Sequence, residues 1–333
     1  MAGVRKALVT GGAGFIGRHL VAHLLASNVS VRVLDPLAGK RPIPDGAEIV
    51  AGSVFDADAL DAACEGVDCV FHLAALAHLW ARDKRDYQRV NVEGTAAVIA
   101  AVKRHKVRRL VATSTETILR AWDDATAFPI SESDPRPALS GMAGPYTRSK
   151  WQADELVQAA VKEGLDVVSL YPTVPVGPGD YGLTAPTQMI LDFVKGKNPA
   201  YLNAGLNFVA VEDAAKAYLL AAGLAPTGGR YLIGGENLAM KTFLALLEKA
   251  SGRKMPARAI PYDFALATAV VAEALADFVT RQPPAATREG VRLVRHPSFV
   301  SIEKAKRELA FSPTPVADAL ARALAWFKKE KLI

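Results

Sequence analysis

Tyr146-Thr147-Arg148-Ser149-Lys150 places a phenol and an ammonium four positions apart, just before a long helix-forming run. A phenol is a poor acid in water, with a pKa of about 10. An ammonium held beside it favours the tyrosinate and lowers that pKa. A phenol tuned in this way exchanges a proton with a hydroxyl near neutral pH. Tyr146 and Lys150 are therefore the first candidates for chemistry. A third candidate is Thr115, which closes the strand-end run Thr113-Ser114-Thr115. Its hydroxyl can donate to or accept from a substrate oxygen, orienting a C–O group while Tyr146 moves the proton. Strand-end threonines are common for structural reasons alone. The presence of Tyr146 and Lys150 is what makes this one a candidate.

The elements that must position these residues begin at the other end of the same half-chain. Lys6 to Thr10 reads as a short buried strand, Gly11-Gly12-Ala13-Gly14-Phe15-Ile16-Gly17 as a turn, and an apolar-periodic helix follows to about Ala26. Gly12, Gly14 and Gly17 satisfy G-x-G-x-x-G; Gly11, Gly14 and Gly17 satisfy G-x-x-G-x-x-G. Strand, glycine turn and helix in that order are the context of a dinucleotide site. Glycine is needed because a Cβ would hold the backbone away from a pyrophosphate, and the helix N-terminus offers amide donors and positive potential to it. A second strand, Ser30 to Leu34, ends in Asp35, where an acidic residue meets the ribose hydroxyls. A carboxylate there repels a 2′-phosphate, which favours NAD(H) over NADP(H). Arg32, Lys40 and Arg41 nearby pull the other way.

Further strands are expected at Glu48 to Ala51, Cys69 to His72, Arg109 to Ser114 and Asp166 to Tyr171. Helices are expected from about Asp56 to Glu65, Arg85 to His105 and Tyr146 to Glu163. Short apolar strands separated by helices predict an α/β fold with a Rossmann-type, doubly wound parallel sheet. Thr10, Asp35, Ala74, Thr115 and Pro172 then fall at or beyond the carboxyl ends of strands, where such sheets bind ligands. The second half is less regular and predicts a smaller, mainly helical C-terminal substrate lobe. Pro172 to Tyr181 reads as a loop, Phe208 to Val211 and Tyr231 to Ile233 as strands, and Val316 to Lys329 as an amphipathic helix. Asp263 to Thr280 is an alanine- and valine-rich helix, interrupted by Glu273 and Asp277 and too short to span a bilayer. Its simplest place is the core of the lobe; the alternatives are an apolar wall for a substrate or a membrane-facing patch. The expected division is 1–171 plus about 205–234 for the dinucleotide domain, and about 172–204 plus 235–333 for the substrate lobe.

Composition narrows the class. Half of the 333 residues are apolar, enough for a full core. Cys64 and Cys69 match no redox or zinc spacing, the histidines form no ligand cluster, and no metal is expected. No signal peptide is visible, so a cytoplasmic protein is expected, with association to the inner face of the membrane as an extension. The net charge of +6 comes from scattered basic residues without interleaved aromatics, which excludes specific nucleic-acid recognition. Anionic cofactors or an anionic membrane surface account for it better.

Taken together, these motifs resemble the extended short-chain dehydrogenase/reductase superfamily, that is, the NAD-dependent epimerase/dehydratase family. The resemblance is carried by Thr10 to Gly17, Phe71-His72-Leu73-Ala74-Ala75, Asn91-Val92-Glu93-Gly94-Thr95, Thr113 to Thr115, Tyr146 to Lys150, Gly177-Pro178-Gly179 and Phe208 to Asp213. Leu79-Trp80-Ala81-Arg82-Asp83, Gly144-Pro145-Tyr146 and Gly234 to Leu238 are similar to a narrower branch. That branch holds hopanoid-associated epimerase-like proteins, dihydroflavonol reductases and 3β-hydroxysteroid dehydrogenases. The resemblance implies that Tyr146 is the general acid/base and that Lys150 holds the nicotinamide ribose. It places Thr115 where serine is usual. It implies that Gly11, Gly14 and Gly17 cradle the pyrophosphate with amides of Phe15 and Ile16, and that Asp35 binds the adenosine ribose. Leu73, Ala74, Ala75, Thr113, Pro172 and Val174 would line the cofactor groove, with Ser53 and Val54 at the adenine and Asn91 structural behind the site. Ser53 stands where the family often has Asp. Tyr171 and Val176 stand where sugar-nucleotide enzymes usually carry Arg and often Tyr, which argues for an apolar ligand.

The expected function is NAD(H)-dependent interconversion of a ketone and a secondary alcohol on a hydrophobic, lipid-like substrate. A sterol or hopanoid-type ketone and a keto-sphingoid base or oxidised ceramide are the candidates. The alternative is a nucleotide-sugar epimerase or dehydratase with tightly bound NAD; a non-catalytic dinucleotide sensor would not need a tuned proton donor. The resemblance also implies a homodimer, paired through helices of the sheet domain such as the one after Tyr146.

Overall fold

Lys6–Thr10 (β1) is buried beyond its first residue and runs into the glycine turn and Phe15–Ala26 (α1). The computed structural model describes residues 4–126 and 129–333. The chain continues through Ser30–Leu34 (β2), Glu48–Val50 (β3), Ala57–Cys64 (α2), Cys69–His72 (β4), Arg85–Tyr87 (α3) and Gly94–Arg104 (α4). A π-helical turn at Gln88–Glu93 joins the last two. Arg109–Thr113 (β5), Pro145–Lys162 (α5) and Val167–Pro172 (β6) complete the first half. Beyond it come Val174–Val176 (β7), Ala185–Val194 (α6), Tyr201–Leu202 (β8), Gly205–Ala210 (β9), Val211–Leu224 (α7), Arg230–Ile233 (β10) and Glu236–Ala239 (β11). Met240–Ser251 (α8), Ala259–Ile260 (β12), Tyr262–Leu275 (α9), Arg288–Leu293 (α10), Glu303–Leu309 (α11) and Val316–Lys329 (α12) follow.

The main sheet has seven strands in the order β10-β6-β5-β4-β1-β2-β3, all parallel. The order reverses between β1 and β4, so their carboxyl ends open a crevice at the switch point. Leu20, Val21 and Leu24 of α1 and Ala214, Tyr218 and Ala221 of α7 bury one face of the sheet. Leu60 of α2, Val98 and Val102 of α4 and Val157 of α5 bury the other. This is the Rossmann-type architecture expected from the alternating pattern. Three residues of the expected loop after β6 instead form β7, which pairs with β9 in a second sheet ordered β11-β9-β7. That sheet and helices α6, α8 and α12 enclose a separate core, in which Phe208 and Phe243 stack at 4.1 Å.

α9 departs from the simplest expectation for its sequence. Its buried residues are small or charged, Ala265, Ala269 and Glu273, with Ala276 just beyond. Its large apolar side chains point outward: Phe264 is 61 % exposed, Val271 60 % and Leu275 50 %, and Phe278, in the π-helical turn Ala276–Thr280 that continues it, is 81 % exposed. A helix buried all round needs apolar residues all round. Here the alanines allow close packing on one side and leave the bulk on the other.

Candidate active site

The turn from β1 into α1 builds one end of the site. Gly11 has φ +74°, and a Cβ there would stand 2.7 Å from the Ala74 nitrogen; at Gly17 it would run into the Gly11 carbonyl oxygen. Only glycine lets the strand end, the turn and α1 approach this closely. No side chain caps α1 and no acidic residue sits in its first turn. Gly14, Phe15, Ile16 and Gly17 line the main cleft, so the open helix N-terminus faces it. That donor set fits the diphosphate of a dinucleotide.

Asp35, at the end of β2, accepts from the Ala13 amide at 3.0 Å through Oδ2 and from the Leu37 amide at 2.8 Å through Oδ1. It clamps the glycine turn to β2, and each oxygen keeps a lone pair for a ribose hydroxyl. Arg32, one of the cations set against an NAD reading, is committed elsewhere. Its guanidinium donates to the Ala62, Ala63 and Glu65 carbonyls at 2.6, 3.0 and 3.0 Å and pairs with Glu48.

The proton-transfer candidates converge from two elements. β5 ends at Thr113, and the chain beyond it carries Thr115, which is 6 % exposed. α5 carries Tyr146 and Lys150 in its first turns. The Lys150 ammonium donates to the Thr113 carbonyl at 2.7 Å, and burial pushes its pKa down to about 8. Tyr146 lines the same cleft as Thr115 and Glu116; burial raises its pKa, and the Glu116 carboxylate adds to the rise. This corrects the expectation drawn from spacing. Lys150 is turned onto the end of β5, and burial, not the ammonium, dominates the phenol in this structure.

Two carboxyls that the sequence reading passed over belong to the site. Glu116 is 7 % exposed and accepts from the Thr115 hydroxyl at 3.0 Å; burial raises its pKa to about 7. Its position next to Thr115 was the only local signal. Glu289, in α10, accepts from the amides of Tyr146 at 3.0 Å and Thr147 at 2.7 Å. It caps the helix that carries the tyrosine, and a Cβ at Gly144 would stand 2.6 Å from its carboxyl carbon. Nothing local in sequence announces a contact across more than a hundred residues.

Behind the site, Asn91 accepts from the Leu76 amide at 2.7 Å and donates to Ser149 at 2.8 Å, joining the loop after β4 to α5. His72 bridges Thr10 and Thr95, and burial lowers its pKa to about 3, so the ring is neutral.

A cleft of about 440 Å³ joins these parts. Its wall includes Gly11, Gly14, Phe15, Ile16, Gly17, Leu73, Ala75, Thr113, Thr115, Tyr146, Lys150, Pro172 and Val174. Four expected cofactor residues do not line it. Asp35 is turned into the glycine turn, Val54 packs into the core with Leu60, Ser53 accepts from the Phe55 amide, and Ala74 backs onto Gly11. Leu79, Met189, Leu206, Leu293 and Val294 add an apolar stretch that the sequence reading did not assemble. Tyr171 and Val176 are 0 % and 1 % exposed, outside the cleft. The Tyr171 hydroxyl donates to Asp154 at 2.9 Å. Their identities therefore do not report on ligand polarity; the cleft wall does.

The family model described as NAD dependent epimerase/dehydratase family matches residues 7–234. The chain is 30 % identical over 332 residues to sterol demethylase protein B of Methylococcus capsulatus, covering 98 % of this chain and 99 % of that protein. It is 32 % identical over 314 residues to a 4-hydroxy-2-methyl-3-oxo-4-farnesyl-3,4-dihydroquinoline-1-oxide ketoreductase of Stigmatella aurantiaca, covering 92 % of each. Among solved structures, gox2253 superposes with a TM-score of 0.85 at 32 % identity, covering 99 % of each chain.

Proposed function

The chain belongs to the NAD-dependent epimerase/dehydratase family, within the extended short-chain dehydrogenase/reductases, and on that premise we propose that it interconverts a ketone and a secondary alcohol on a hydrophobic, lipid-like substrate. NAD(H) is the favoured cofactor, because Asp35 ends β2 and Arg32 is committed to the end of α2. A sterol or hopanoid-type ketone fits, as does a keto-sphingoid base or oxidised ceramide. The observation that carries this reading is the apolar stretch Leu79, Met189, Leu206, Leu293 and Val294 in the same cleft as Tyr146. A relative named for a farnesylated ketone and one named for sterol demethylation support it. In this reading residues 1–171 plus about 205–234 hold the dinucleotide, and about 172–204 plus 235–333 form the substrate lobe.

The nicotinamide cofactor, when bound, supplies or takes up the hydride. Tyr146 gives its proton to the carbonyl oxygen in reduction and takes it back in oxidation. Thr115, on the same cleft wall, orients the reacting C–O group. Lys150, fixed by the Thr113 carbonyl, keeps a positive charge at the end of β5. The Glu289 cap fixes the first turn of α5 and with it the tyrosine.

The proposed partner surface is α9, set against an anionic bilayer. Among the described residues no helix is long and apolar enough to cross a membrane. Between residues 253 and 295 the chain carries seven Arg and Lys against four Asp and Glu. Of those acids, Glu273 and Glu289 are buried and Asp277 is held by Trp80 and Lys84. The segment that carries the apolar stripe is thus net basic, a pairing that favours anionic headgroups.

A nucleotide-sugar epimerase is the second reading, favoured by the Arg41 guanidinium on the cleft wall. Purified protein assayed with NADH and NADPH against keto-lipids and nucleotide sugars separates the two. The reductase consumes added NADH with a keto-lipid. The epimerase purifies with NAD(H) and shows no net absorbance change. With the keto-lipid, Tyr146→Phe lowers kcat by about 10²–10⁴-fold and Lys150→Met also slows turnover; an unchanged rate in Tyr146→Phe removes the assignment.

A further inference from the structure

The connection between β2 and β3 is built outward from the glycine turn. Asp35 takes the Ala13 amide on one carboxylate oxygen and the Leu37 amide on the other. The Leu37 carbonyl then accepts from the amides of Lys40 at 3.0 Å and Arg41 at 3.1 Å, with Gly39 between them at φ +85°. This tight turn presents the Arg41 side chain to the cleft, whose wall it joins. A Cβ on Gly182 would stand 3.0 Å from Arg41 Nη1 and 3.2 Å from Nη2, so the guanidinium reaches the loop between β7 and α6. α1 holds that same loop: Arg18 donates to the Gly179 carbonyl at 3.1 Å and sits over the Tyr181 ring at 4.6 Å. Arg41 therefore ties one loop to the other at the glycine-turn end of the cleft.

Its charge has no counterpart there. Arg18 has a carbonyl to bond, but no described residue accepts a hydrogen bond from the Arg41 guanidinium or forms an ion pair with it. Asp180, the acid nearest to Gly182 in sequence, is taken up within its own loop. Its Oδ1 accepts from the Gly182 amide at 3.2 Å, and its Oδ2 from the Thr184 amide at 2.7 Å and hydroxyl at 2.6 Å. A guanidinium carries five N–H donors in a planar fork that fits phosphate oxygens.

We propose that Arg41 completes the diphosphate site that the glycine turn begins: its guanidinium binds the diphosphate of the dinucleotide and straps the β2–β3 connection onto the Gly182 loop while the cofactor is bound. The proposal rests on the cleft taking a dinucleotide and is independent of the ketone. A nucleotide sugar carries the same diphosphate, and NADP(H) adds a 2′-phosphate. The geometry favours the cofactor diphosphate, because the turn that carries Arg41 is bonded through Asp35 to the glycine turn.

The test titrates wild type, Arg41→Met and Arg41→Lys with NADH, NADPH, ADP-ribose and UDP-glucose by calorimetry. Arg41→Met should bind NADH, NADPH and ADP-ribose alike about 10–100-fold more weakly, as for a lost hydrogen bond to a charged group. Most of that loss should appear as faster NADH release in stopped-flow fluorescence. Arg41→Lys, which keeps the charge and loses the fork, should fall between the two. Lys40 is exposed beside the strap, so NADH should slow trypsin cutting after Lys40 in wild type and not in Arg41→Met. Equal affinities of wild type and Arg41→Met for NADH and ADP-ribose overturn the proposal. A loss confined to NADPH assigns Arg41 to the 2′-phosphate, a loss confined to UDP-glucose assigns it to a substrate, and either result overturns it as well. If Arg41→Met does not fold, cutting after Lys40 at one rate with and without bound NADH in wild type overturns it. A wild type that shows the expected NADH behaviour but reduces no ketone supports the strap while removing the reductase reading; one that binds no dinucleotide removes both.

Discussion

Lys150 carries its ammonium where burial works against the charge, which gives it a signature in stability as well as in catalysis. Its folded pKa is about 8, against an ordinary value of 10.5. Between those values the unfolded lysine keeps a proton that the folded one has lost, so stability rises with pH across that window. Below about 8 both states are charged, and the folded state bears the full cost of burying the ammonium. Lys150→Met has no such step. Urea unfolding of both proteins at pH 7 and near 10.5 should show the gap between them closing by about 3 kcal/mol as pH rises. Parallel stabilities would show that the ammonium is well solvated. At this scale the sequence was readable where function depends on neighbours in the chain. Tyr146 and Lys150 share one helix, and Thr115 follows a strand recognisable by its apolar run. Glu116 adjoins Thr115, yet nothing in Thr115-Glu116-Thr117 distinguishes a buried carboxyl from a solvated one. Tyr171 and Val176 show the converse: residues noted for their identity proved to face the core.

Among the elements, α5 depends on a residue that no local rule supplies. A helix leaves its first amides without partners, and a side chain from the preceding residue usually answers them. Here that position is Gly144, which has no side chain, and Glu289 of α10 bonds the Tyr146 and Thr147 amides. Thr147 Oγ1 accepts in turn from the Gly144 amide at 3.0 Å. Replacing Glu289 with Ala should cost about 1–2 kcal/mol, the range of a lost cap, and should also lower kcat because the same turn aims Tyr146. Denaturant unfolding and steady-state kinetics together check this. A destabilised variant with wild-type kcat would separate the cap from the orientation of the tyrosine. The strands and helices of the first half follow from apolar runs and glycine signals, and their bounds lie within a residue or two of expectation. The short strands β7, β8, β11 and β12 were not legible. Each has two to four residues, and pairing across the small sheets defines them more than their own sequence does.

On the whole molecule, α9 is where composition and environment disagree most. Alanine and valine marked a helix, but a helix apolar on every side has no periodicity to say which face turns inward. The alanines decide, because only they let α9 approach the lobe, and Glu273 bonds Arg288 on the same side. Phe264, Val271, Leu275 and Phe278 are left as an exposed stripe. In the proposed function an anionic bilayer covers the stripe; α10, which packs on α9, also walls the cleft through Gly290 and Leu293. Partitioning at the interface would therefore bring the cleft close to a supply of lipid. Sedimentation with vesicles should show binding to phosphatidylglycerol, weaker binding to phosphatidylcholine, and loss as salt rises. Replacing Val271, Leu275 and Phe278 together with Ser should lower partitioning by roughly 10²-fold, since each buried side chain contributes about 1 kcal/mol or more at an interface. Turnover of a ketone soluble in water should be unchanged in that variant, while turnover of a ketone carried in vesicles should fall with binding. A protein that ignores vesicles but becomes dimeric with concentration, and monomeric once the three are replaced, would assign the stripe to a second copy instead.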